Sequence, residues 1–104
     1  MQIDLKGQGV RFSEALRAHA HRRLAFALSR FEPSLRRVRL HLEDMNGPKG
    51  GVDKRCRVVL HLVNGGQVLA EDASADAYDA ISGAVERALR GLTRGLERLR
   101  EGRG

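Results

Sequence analysis

Apolar residues alternate with polar ones in short stretches of this chain and recur at helical spacing in two longer ones. Ile3 and Leu5 share one face of Gln2 to Lys6, which predicts a strand ending at Gly7. Val38, Leu40 and Leu42 alternate with Arg37, Arg39, His41 and Glu43, the pattern of a half-buried strand. Cys56, Val58, Leu60 and Leu62 do the same against Arg55, Arg57 and His61. Between these two strands, residues 46–51 (Asn-Gly-Pro-Lys-Gly-Gly) read as a flexible loop. Asn64-Gly65-Gly66 is a tight-turn signal, so a fourth strand, Gln67 to about Ala73, is expected antiparallel to the third.

The two helices are equally marked. Ser13 is placed to cap the first, Glu14 suits its first turn, and Leu16, Ala20, Leu24, Ala27, Leu28 and Phe31 line its core face until Pro33 stops it. Asp76 and Asp79 form a capping pair for the last helix, expected to run to about Arg100. Its apolar face is Tyr78, Ile81, Val85, Ala88, Leu89, Leu92, Leu96 and Leu99. The order is β-α-β-β-β-α. With one apolar face per strand, the expected fold is α+β, two helices covering one side of a four-stranded sheet and leaving the other side wet. A length of 104 residues suits one domain, taken as 1–100, with a short disordered tail at 101–104.

Charge adds a functional hint. Opposite the core face of the last helix, Arg87, Arg90, Arg94 and Arg98 fall within an arc of roughly 80° at 100° per residue. One reading is a solvated helix back; the other is a surface presented to a polyanion, favoured because four arginines are in register with Glu86 and Glu97 to one side. Lysine and arginine outnumber acids 19 to 13, for a net charge of +6, and most of these cations are arginine. Arginine forks onto phosphates and stacks on bases, although a GC-rich genome would produce the same bias. A second cluster lies on the first helix, where His19, Arg22, Arg23 and Arg30 surround Phe26, which is off the core stripe. Packing against a neighbouring helix or loop is the expected role of Phe26, and stacking on an unpaired base the alternative. Gly83, Gly91 and Gly95 interrupt the last helix at about 1 kcal/mol each relative to alanine. Gly91 and Gly95 either admit a phosphate backbone or the first helix, or are simply tolerated.

Enzyme signals are poor. His19 and His21 are two apart on a helix and point to different sides, while His41 and His61 lack a third ligand at metal spacing. Cys56 stands alone without an activating motif and reads as a buried free thiol. Glu71, Asp72, Asp76 and Asp79 are explained by capping and charge balance before paired-carboxylate catalysis. Gly65-Gly66 turns a hairpin and opens no phosphate loop. The expectation is no catalytic residue, metal, cofactor or small-molecule substrate. No apolar run approaches the ~20 residues that span a bilayer, and Met1 leads directly into a strand, which points to the cytoplasm and away from membranes.

Four segments resemble the ribosome hibernation-promoting factor and ribosome-associated inhibitor family. These are Met1-Gln2-Ile3 through Gly7, Ser13-Glu14-Ala15-Leu16-Arg17, Asn64-Gly65-Gly66, and Asp76-Ala77-Tyr78-Asp79-Ala80-Ile81, which is similar to an Asp-Met-Tyr-Ala-Ala-Ile signature. The resemblance covers nearly the whole chain in order. It implies a fold similar to double-stranded-RNA-binding domains. It also implies a non-enzymatic factor that binds the small ribosomal subunit in stress or stationary phase, in the decoding channel and against ribosomal RNA. The basic positions of the family's last helix coincide with Arg87, Arg90, Arg94 and Arg98, and Arg23 falls at a common first-helix cation. Ala77 replaces the usual methionine, Phe26 stands where a lysine is common, and the first helix is shifted near Ala27-Leu28. The expected RNA-binding set is Arg22, Arg23, Phe26, Arg30, Arg87, Arg90, Arg94 and Arg98. The chain is expected to be monomeric off the ribosome, since no added dimerisation domain follows. A general double-stranded-RNA binder and a protein-interaction module are the competing readings.

Overall fold

The computed structural model describes the backbone of residues 1–45 and 52–103, and side chains as far as Glu97. The loop expected at 46–51, the side chains of Arg98 and Leu99, and Gly104 lie outside the described residues. Strands β1 (Gln2–Gln8), β2 (Leu35–Asp44), β3 (Lys54–Leu62) and β4 (Gln67–Ser74) form one sheet in that spatial order. β1 pairs parallel with β2, and the other two pairings are antiparallel. A parallel pair needs a crossover, which helix α1 (Glu14–Leu28) supplies. Helix α2 (Ala77–Arg103) follows β4. The architecture is thus the α+β order β-α-β-β-β-α, with both helices feeding one core on one face of the sheet.

Register follows from the alternation. Val38, Leu40 and Leu42 stand opposite Leu60, Val58 and Cys56, and all six are buried. A slip of one residue would turn all of them to water, so the pattern fixes the pairing. At the β3–β4 hairpin Gly65 has φ 95°, which glycine adopts without strain. β1 runs past Gly7, because Gly7 and Gln8 still pair with Leu42 and Glu43.

Ser13 caps α1 as expected, its Oγ accepting the Leu16 N–H at 3.1 Å, and Leu16, Ala20, Leu24 and Leu28 are buried. The α-form ends at Leu28, earlier than Pro33, and tightens into a 3₁₀ segment, Ser29–Ser34. Pro33 has no N–H to offer the Ser29 carbonyl and its ring crowds that group, so the disturbance reaches four residues back. Ala27 and Phe31 are consequently only partly buried.

Asp76 Oδ1 accepts the Tyr78 N–H at 2.7 Å and opens α2. Ala80, Ile81, Ala84, Val85, Ala88 and Leu92 are buried, with Leu89 and Leu96 partly so. Tyr78 does not belong to this core: it is 39% exposed. It lies in the first turn, where its ring meets His19 edge-on at 5.0 Å between centroids. His19 Nε2 lies 3.0 Å from Ser82 Oγ and 3.2 Å from the Tyr78 carbonyl, so this histidine ties α1 to α2 and is not part of the Phe26 cluster. The helix continues to Arg103, so residues 101–103, expected as disordered tail, are helical backbone.

Two glycines explain how low α2 sits over β4. A Cβ on Gly83 would overlap the Asp72 carboxylate, and one on Gly91 would come within 2.9 Å of Val68 Cγ1. The close neighbour of Gly83 and Gly91 is therefore β4 and not the first helix. Gly95 has nothing within 4 Å of such an atom.

Candidate nucleic-acid interface

The wet sheet face carries many cations, but strand pairing sets carboxylates beside several of them. Arg37 Nε is 3.3 Å from Asp4, Arg55 Nη2 is 2.9 Å from Glu43, and Arg57 Nη2 is 3.1 Å from Glu71. Exposed pairs of this kind contribute little stability, yet each offsets one positive charge of that face. Lys6, Arg39 and His41 line a shallow depression there with Asp4 and Arg57. His41 stands opposite Arg57, and His61 opposite Arg37, so the two histidines do not face each other across the strands. Among the described residues no group of three or more His, Cys, Asp or Glu could hold a metal.

The helix side is different. Arg87, Arg90 and Arg94 line a groove between α2 and the β4 edge, with Leu69, Ala70, Glu71 and Gly91. Arg90 and Arg94 are exposed and make no ion pair among the described residues. Arg87 is partly engaged: Nη2 lies 3.7 Å from Asp72 Oδ1, with more than half of the side chain in solvent. The fourth member of the row, Arg98, lies beyond the described side chains.

On the other flank of α2, a second groove runs between the helices. Arg23, Phe26 and Arg30 line it, together with Ala27, Ser29, Val85, Glu86 and Leu89. Phe26 is 85% exposed, which overturns the expectation that it packs internally. At 100° per residue it lies about 160° around α1 from both Leu24 and Leu28, which turns it away from the core. Arg30 is held over the Phe31 ring, its guanidinium carbon 4.9 Å from the centroid. Arg22 is exposed on α1 but does not line this groove. Of the eight expected contact residues, six line the two grooves, three in each, while Arg22 lies outside both and the Arg98 side chain is beyond the described residues.

The acidic residues act locally. Glu71 pairs with Arg57, Asp72 accepts the Ala73 N–H and faces Arg87, and Asp76 caps α2. Sequence patterning missed Asp53, only 1% exposed, whose Oδ1 lies 3.0 Å from Lys54 Nζ. Lys54 also reaches Asp44 at 3.4 Å, and the Asp53 contact, ahead of Asp44, raises its pKa above the ordinary lysine value. This charge cluster pins the β2 and β3 ends. Burial, with the Asp72 charge in second place, pushes the Cys56 thiol up to about 12, which makes it a poor nucleophile.

Residues 3–100 match the model of the Sigma 54 modulation protein / S30EA ribosomal protein family. The chain belongs to this family. That agrees with the resemblance to hibernation-promoting factors carried by the four segments above. Among solved structures, the N-terminal domain of Protein Y from Thermus thermophilus is 28% identical, with a TM-score of 0.73 over 90% of this chain and 98% of that one. A ribosomal subunit interface protein from Coxiella burnetii is 21% identical, with a TM-score of 0.76 over 93% and 99% of the two chains, a likeness of fold. A comparison with curated protein sequences found no match.

Proposed function

We propose that this protein is a non-enzymatic ribosome-hibernation factor. It binds the small ribosomal subunit in the cytoplasm, in stress or stationary phase, and blocks translation by occupying the decoding channel. Arg87, Arg90, Arg94 and Arg98 along α2, Arg22, Arg23 and Phe26 on α1, and Arg30 in the 3₁₀ segment after it contact ribosomal RNA. The observation that carries this reading is the pair Arg90 and Arg94: exposed, free of carboxylate partners among the described residues, and set on a rigid helix of a chain that matches the family over residues 3–100. Guanidinium groups held this way meet phosphates without first breaking an ion pair. The sheet face, where carboxylates match Arg37, Arg55 and Arg57 but, among the described residues, not Lys6 and Arg39, is the weaker candidate, also for an acidic protein partner.

The test is sedimentation of purified small subunits with the protein across a salt series. Affinity should fall steeply, with a log–log slope of several units, because each neutralised phosphate releases counterions. A slope near zero between about 50 and 200 mM salt overturns the RNA-contact reading. Free duplex RNA that competes as well as the subunit would make general duplex binding the better description.

A further inference from the structure

We propose that the groove between α1 and α2 receives a single unpaired nucleobase, stacked on Phe26 and read at its amino edge by Glu86. This deepens the reading above and rests on it, since it names what the first-helix site takes from RNA. Among the described residues Phe26 is the most exposed large apolar side chain, at 85%, on a helix whose aliphatic face is used in the core. An aromatic ring displayed between arginines offers a π-face to any base, and the flanking cations neutralise the phosphates on either side of it.

The groove's chemistry separates a base from a phosphate. Its floor is apolar, from Ala27, Val85 and Leu89, and its volume is about 290 Å³, room for a planar ring and not for a length of folded peptide. Glu86 stands on the rim, exposed and without an ion pair among the described residues, where it would repel a phosphate. A carboxylate only accepts hydrogen bonds. It therefore selects a base with an exocyclic amino group, such as cytosine, over uracil, whose edge is dominated by carbonyls. Arg23, half-buried, lines the same groove and adds a cation beside the incoming base. The α2–β4 groove, by contrast, gathers three arginines around a glutamate already paired to Arg57. One flank of α2 thus tracks phosphates and the other holds a base.

The chain has no tryptophan, so Phe26→Trp places a single indole reporter in the groove. Its emission should be quenched by oligocytidine at lower concentration than by oligouridine of equal length, and least by a duplex. Equal quenching by all three overturns the proposal. With small ribosomal subunits, Phe26→Ala should weaken binding roughly 5- to 150-fold at an unchanged melting temperature and an unchanged salt slope, because stacking releases no counterions. Phe26→Lys should be as weak although it adds a cation, and Phe26→Trp should bind like the native chain. A lysine variant that binds as tightly as the native protein means the position meets phosphate, and overturns the inference. So does photocross-linking from position 26 to a ribosomal protein instead of RNA. If the native chain fails to bind the subunit, the reading under Proposed function falls as well; native binding with Phe26→Ala unaffected removes this inference alone.

Discussion

Three glycines of one helix should respond in three different ways to the same added methyl group. In a helix interior Gly→Ala gains about 1 kcal/mol from propensity alone, and that term is common to Gly83, Gly91 and Gly95. What differs is the space each Cβ would enter. At Gly95 there is nothing within 4 Å, so Gly95→Ala should realise most of the gain, raising Tm by about 4–8 °C per kcal/mol for a domain near this size. At Gly91 the new atom would lie 2.9 Å from Val68 Cγ1, a methyl that must shift by a few tenths of an ångström, and the two terms should nearly cancel. At Gly83 it would overlap the Asp72 carboxylate, which is bonded to the Ala73 N–H at 2.9 Å and faces Arg87 at 3.7 Å. Overpacking of this kind costs about 1–3 kcal/mol, so Gly83→Ala should be neutral to destabilising by up to about 2 kcal/mol. Calorimetry and urea unfolding of the three variants should therefore rank Tm as Gly95→Ala, then Gly91→Ala, then Gly83→Ala. Equal gains in all three would refute the claim that α2 is held low over β4 by the absence of side chains.

Fold and function should separate between neighbouring positions: Leu92→Ala, with its side chain fully buried, should cost about 2–5 kcal/mol in urea unfolding, whereas Arg94→Ala should leave Tm within about 1 °C and weaken subunit binding. If Arg94→Ala unfolds the protein, its guanidinium is structural and its place in the interface is lost. Reversing Arg90 and Arg94 to Glu together should nearly abolish subunit binding and translation inhibition, with circular dichroism unchanged; full retention of affinity would favour a protein-docking role. The Cys56 thiol ionises at about 12 in the folded chain against about 9 when unfolded, so below pH 9 both states keep the proton and stability is unaffected. Above it the unfolded state gains by ionising, and stability falls by up to about 1.4 kcal/mol per pH unit until about pH 12. Urea unfolding at pH 8 and pH 10 should show this loss in the native chain relative to Cys56→Ala; a gap that does not change with pH contradicts it.

Period-2 alternation made the inward faces of β2 and β3 legible, because a residue on such a strand has only two sides to choose between. Ser13 and Asp76 were legible for a similar reason: a cap is a local bond between residues two or three apart. Features that depend on distant packing were not. Tyr78 continues the helical stripe in sequence, but the first turn of α2 lies beside α1, so the ring meets His19 and not the sheet. Phe26 was misjudged by giving the general habit of aromatics more weight than its own place off the Leu24–Leu28 stripe. Burial of Asp53 depends on how the β2 and β3 ends close, which no periodicity encodes. The arginine rows were visible as rows, yet their division between two flanks of α2 became plain only when β4 and α1 were set on either side of it.

The position of β4 gives the α2 arginines a second consequence. β4 is an outer strand of the sheet, and Leu69 on it is 62% exposed. An open ladder beside an apolar side chain is an invitation to add a strand from another copy of the chain. Arg87, Arg90 and Arg94 overhang that border with like charges that a second copy would also carry. The side chains assigned to phosphate contact therefore also guard the protein against stacking edge to edge while it is free of RNA. A variant stripped of them should self-associate, so its oligomeric state has to be measured before any loss of affinity is assigned to RNA contact.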